Sequence, residues 1–135
     1  MNGPITGGEL AQRRIAPVSA EAMKTMAVIL ADPNPIHLDP EVVRELGMGD
    51  RVINQGPTGC GYVMDMLSDN FPTGRVRSLS VRFIANVLGG DDVTVGGTVE
   101  NVTATAQGDL VECAVWLDIV DRGRALAGTA TVVIG

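Results

Sequence analysis

Gly56-Pro57-Thr58-Gly59-Cys60-Gly61-Tyr62-Val63-Met64-Asp65-Met66-Leu67-Ser68 carries Cys60, Val63, Met64 and Leu67 at three-to-four spacing, with small Gly59 and Gly61 among them. The spacing predicts a helix. Glycine costs about 1 kcal/mol relative to alanine inside a helix, so its presence here predicts a crowded backbone approach, most simply to a sheet wrapped around a buried central helix. From Arg75 onward the period changes to two: Leu79, Val81, Phe83, Ala85 and Val87 alternate with Ser78, Ser80, Arg82 and Asn86, the pattern of a strand buried on one side. Three more strands are expected at Val93 to Val102, Leu110 to Val120 and Ala125 to Ile134. The stretches Gly89-Gly90-Asp91-Asp92, Gln107-Gly108-Asp109 and Asp121-Arg122-Gly123 between them are turn chemistry, so successive strands are expected to pair as antiparallel hairpins. Helices first and strands afterwards predict an α+β fold, an antiparallel sheet packed on one long helix.

Upstream, Glu9 to Ile15 is read as one strand before Pro17, and Ser19 as the N-cap of a helix from about Ala20 to Ala31. That helix must stop where Pro33 and Pro35 disfavour helical geometry at Asp32 and Asn34, leaving Asp32 to Leu38 as a rigid loop. Asp39 then caps a short helix that Pro40 opens and Gly47 ends.

The 135 residues suffice for one domain, taken as 1–135, with a core that needs neither metal nor disulfide. A formal charge of −6 and the absence of a basic run make nucleic acid an unexpected partner, and the apolar runs are too short to span a membrane. With four aromatic residues in all, Tyr62, Phe71, Phe83 and Trp116, the binding surface is expected to be aliphatic. Cys60 and Cys113 sit apart in apolar sequence, and Met1-Asn2-Gly3-Pro4 lacks the regions of a secretory signal, so a cytoplasmic setting with reduced thiols is expected. One histidine and two distant cysteines supply no recognisable metal-ligand set.

That histidine, His37, follows Asp32 by five residues in Asp32-Pro33-Asn34-Pro35-Ile36-His37-Leu38-Asp39. The prolines hold a carboxylate and an imidazole in a stiff loop, suited to acid-base work; the competing reading makes Asp32, Asn34 and Asp39 turn formers and His37 a surface residue. At Gln55-Gly56-Pro57-Thr58-Gly59 a helix start offers free amides to an anion, with Gly56 and the residues after Pro57 as candidate donors because Pro57 has no N–H; the competing reading is an ordinary helix start, which glycine and proline often make.

The string Asp-Pro-Asn-Pro-Ile-His-Leu-Asp resembles the Asp-x-Asn-Pro-Ile/Leu-His-x-Asp signature of the MaoC-like, (R)-specific enoyl-CoA hydratases, which have the hot dog fold. Gly56, twenty-four positions after Asp32, and Val81-Arg82-Phe83 followed by Gly90-Asp91 extend the resemblance over nearly the whole chain. It implies a dyad, Asp32 and His37, that delivers one water to C3 of a trans-2-enoyl thioester while C2 gains a proton, with the Gly56 amide receiving the enolate oxygen. Which dyad member is acid and which is base stays open. Asn34 would orient the loop, and Asn34, Gln55 and Thr58 are expected to bind substrate. No cofactor is implied, since coenzyme A belongs to the substrate, and a homodimer bound to an acyl-CoA or acyl-carrier thioester is expected. The sequence departs from the family at Gln55, where a histidine usually stands, at Pro57, at Leu30-Ala31, where Ser-Gly is frequent, and at Asn86. Two rivals stand beside this reading: a hot dog thioesterase using Asp65 on the central helix, and a non-catalytic acyl-thioester-binding subunit of a heteromeric dehydratase.

Overall fold

The computed structural model describes residues 3–135; Met1 and Asn2, part of the stretch read above for a leader, lie outside the described residues. Helix α1 (Ala20–Ile29) opens where the Ser19 hydroxyl accepts the Ala22 amide at 3.0 Å. It closes through Ala31, which takes a left-handed φ of 50°, so that the Ala31 amide reaches Val28 O at 3.2 Å and the Asp32 amide reaches Ala27 O at 2.9 Å. A single 3-10 turn, Pro35–His37, follows within the proline loop. Asp39 then caps α2 (Pro40–Glu45) by accepting the Glu41 amide, and α3 (Gly56–Asn70) runs slightly beyond the expected Ser68.

The strands β1 (Arg13–Ile15), β2 (Arg75–Phe83), β3 (Val93–Thr105), β4 (Gly108–Ile119) and β5 (Gly123–Ile134) form one antiparallel sheet in the order β1-β3-β4-β5-β2. Two of the three expected hairpins form, β3 with β4 and β4 with β5. The third does not: β2 pairs with β5 at the far edge, with Arg75 opposite Val133 and Phe83 opposite Leu126. The reason lies in residues 84–92, whose backbone is already engaged. Asn54 donates to Val87 O, Gly89 to Val52 O and Gly90 to Val18 O, while the buried Asp91 carboxylate takes the Leu88 amide and the Arg51 and Arg122 guanidiniums. Turn residues there bind this segment to the approach to α3 rather than folding β2 back on β3. The alternation read through Val87 also ends early, at Phe83, whose side chain is exposed. The strand read from Glu9 shrinks to β1 plus one bridge, Glu9 to Thr98.

Val63, Met66 and Leu67 of α3 are buried against the inner face of the sheet with Val93, Leu117 and Ala130. The buried stripe of α3 is Gly59, Val63, Met66 and Leu67, so Cys60 and Met64, expected on that face, lie beside it. The glycines within α3 are not where the backbone is crowded. A Cβ on Gly61 would meet open space and one on Gly59 only ordinary contact, whereas one on Gly56 would come within 3.0 Å of the Phe83 ring. The close approach is at the mouth of the helix, not along it. Among the described residues no helix is long and apolar enough to cross a membrane.

Candidate active site

Asp32 is held at the end of α1 by its own amide bond to Ala27, and its Oδ1 accepts the Asn34 amide at 3.2 Å. Asn34 Oδ1 accepts the Ile36 amide at 3.2 Å and so caps the turn that carries His37. Two side chains thereby fix the turns of the loop. The result brings His37 Nε2 to 3.3 Å from Asp32 Oδ2, with the imidazole side chain 10% exposed and the carboxylate 37% exposed. The sequence's competing reading, a surface histidine among turn formers, is half right: Asp32, Asn34 and Asp39 do form caps and turns, but His37 is buried.

The contact at the second ring nitrogen fixes which nitrogen faces the carboxylate. His37 Nδ1 lies 2.5 Å from Ile53 O, and a carbonyl can only accept, so Nδ1 carries a hydrogen and Nε2 is the nitrogen turned toward Asp32. A water beside Nε2 and the Asp32 carboxylate can hydrogen-bond to both.

Ile53 is also the start of the approach to α3: its amide donates to Ile36 O, so the two segments clasp each other on both sides of the histidine. Three residues further on stands Gly56. Thr58 and Gly59 both donate to Gln55 O and Pro57 has no amide, so Gly56 alone retains a backbone donor in the first turn. A cavity of about 110 Å³ adjoins Gly56, walled by Phe83, Val87, Leu117 and Leu126. A separate apolar groove runs past Asp32 between Val28, Pro33 and Leu38.

Gln55 and Thr58, expected at the substrate, flank Gly56. Gln55 is fully buried and ties the two helices by donating from Nε2 to Met23 O at 2.8 Å, while its Oε1 finds no partner; Thr58 Oγ1 is likewise unpartnered. Asn34 lies at the loop surface, with its oxygen committed to Ile36. Sequence reasoning passed over Asn54, whose buried Nδ2 has no partner at hydrogen-bond distance. Burial pushes the Tyr62 phenol up, and the nearby Asn54 side chain pulls it back. Two adjacent amides ahead of a helix, in a run that begins Val52-Ile53, were the available signal. Phe83 was assigned to the core and instead covers Gly56. Asp65 is exposed on α3, away from its buried stripe.

The model of the MaoC like domain matches residues 2–118. This chain belongs to the MaoC-like dehydratase family. The MaoC-like chain superposes on the (R)-hydratase from A. caviae involved in PHA biosynthesis with a TM-score of 0.88 at 20% identity, over 100% of both chains. It matches the MaoC-like dehydratase from Rhodospirillum rubrum with a TM-score of 0.81 at 25% identity, over 96% of this chain and 92% of that one. A chain of the C-terminally truncated HadBC (3R-hydroxyacyl-ACP dehydratase) complex from Mycobacterium tuberculosis gives 0.81 at 16% identity, over 98% of each. No curated protein sequence matches. The fold of these neighbours is the hot dog fold, and the MaoC-like chain shares it.

Proposed function

We propose that this MaoC-like protein is a hydro-lyase that reversibly hydrates a trans-2-enoyl thioester to an (R)-3-hydroxyacyl thioester. One observation carries the reading: His37 Nδ1 is pinned to Ile53 O, which turns Nε2 toward Asp32 at 3.3 Å, so that the two side chains can share one water. Water oxygen adds to C3, one water proton passes to the dyad, and a dyad proton goes to C2, so one H and one OH are added in balance. Negative charge gathers on the thioester oxygen as the enolate forms, and the Gly56 amide is the donor that meets it without reorganising. An apolar groove lies beside Asp32 and a cavity beside Gly56. The enzyme on this reading is one domain per chain, homodimeric, cytoplasmic and free of cofactor.

The test is mass-resolved turnover of short, branched and bulky trans-2-enoyl-CoA thioesters, with free thiol followed in the same tubes. We expect addition of one water by the wild type and a loss of at least a hundredfold in Asp32→Asn, with an unchanged circular dichroism spectrum, because Asp32 sits in a loop. Thiol release without water addition would replace this reading with hydrolysis.

A further inference from the structure

Phe83 is the last residue of β2. It follows Leu79 and Val81 at a spacing of two, and both of those pack against the core, so the strand turns the Phe83 ring to the same inner face. The core has run out where the ring arrives. Phe83 is 57% exposed, and what it meets is Gly56 at the mouth of α3: a Cβ built there would lie 3.0 Å from Cζ and 3.4 Å from both Cε1 and Cε2. The equal distances to the two Cε atoms mean that the ring stands with its tip, not its face, against the glycine.

Phe83 and Gly56 also share the cavity of about 110 Å³. That is less than the roughly 150 Å³ of an apolar protein cavity that holds a benzene ring. Leu117 and Leu126 in its wall are buried in the core, and Val87 is held by the Asn54 amide on its carbonyl. Among the described residues Phe83 is the one large apolar side chain of that wall that is exposed. Its backbone is fixed as well, because the Ile84 and Ala85 amides directly after it both donate to Ala125 O. Rotation of the ring is the freedom left to it, and leaving Gly56 would carry more apolar surface into water.

We propose that Phe83 determines which acyl groups the site accepts: its ring tip bounds the space beside the thioester, admitting a straight-chain 2-enoyl group and turning away one branched at C2. This rests on the hydratase reading, which puts the thioester oxygen on the Gly56 amide and hence C2, two bonds from that oxygen, in the neighbourhood of the ring tip.

The test compares kcat/KM for crotonyl-CoA and 2-methylcrotonyl-CoA, which differ by one methyl group at C2, in the wild type, Phe83→Ala and Phe83→Tyr. The intrinsic reactivity of each ester is common to all three proteins, and the folded fraction of each protein is common to both esters, so the change in the ratio isolates the pocket. One carbon more or less against an apolar wall alters kcat/KM by about 10–200-fold, and Phe83→Ala is expected to shift the ratio toward the branched ester by about tenfold or more. Phe83→Tyr puts a hydroxyl on the Cζ that faces Gly56 and is expected to shift it the other way. The tyrosine variant keeps the ring, so it answers even if the alanine variant does not fold. Ratios unmoved by the substitutions, with water still added to crotonyl-CoA, overturn the role of Phe83 and keep the hydratase. No water added to either ester by the wild type overturns the hydratase reading and the role of Phe83 with it.

Discussion

Ala31 occupies the left-handed position that ends α1, where glycine is the residue that adopts such a φ without strain. The next residue is Asp32, whose amide closes the same cap, so the aim of a dyad carboxylate depends on a conformation that alanine adopts at a cost. Ala31→Gly is expected to raise stability by about 0.5–1 kcal/mol, or about 2–3 °C in Tm, read by thermal unfolding. No change or a fall would mean that the gain in unfolded-chain entropy cancels the relief. The sequence made the proline loop legible because proline and Asx chemistry is local. It did not reveal that His37 is buried, because the group that buries it, the Ile53 carbonyl, lies sixteen positions away.

Elements were legible where the period was long and the turns short. β3, β4 and β5 sit close to their expected bounds because each hairpin is a local event. β2 was misplaced because the Gly89-Gly90 turn looks the same whether it closes a hairpin or packs on Val52, and only long-range hydrogen bonds choose between them. The buried stripe of α3 was read one position off at Cys60 and Met64, since hydrophobicity alone does not distinguish a small glycine at a contact from a larger residue beside it. On β4, the buried Cys113 thiol is pushed up to about 11 by burial first and by Glu100 second. The folded state holds that proton more tightly than the unfolded chain. Its contribution to stability is therefore whole below the ordinary thiol range and is lost as pH rises toward 11. Urea unfolding at pH 8 and pH 10.5 is expected to show a larger loss in wild type than in Cys113→Val; parallel losses would exclude this thiol as the cause.

Across the whole molecule, the candidate site is made from two clasped segments, the loop after α1 and the approach to α3, and neither belongs to the sheet. Motif spacing found the residues of both segments, yet it carried no information on Phe83 over Gly56 or on the unpartnered Asn54 and Gln55 atoms, which exist only once β2 and the Val87 segment have closed over the helix mouth. The sheet order has a kinetic corollary. β3, β4 and β5 can zip together through neighbouring turns, but β2 must wait for β5, a partner far away in sequence, and closing so long a loop costs entropy before any contact repays it. Phe83 arrives with β2, so the mouth of α3 is completed late on the folding route. Substitutions in the β4–β5 hairpin are expected to slow refolding, whereas Leu79→Ala on β2 should chiefly speed unfolding, as stopped-flow fluorescence of Trp116 can report; a slowed refolding limb for Leu79→Ala would put the edge strand in the nucleus instead.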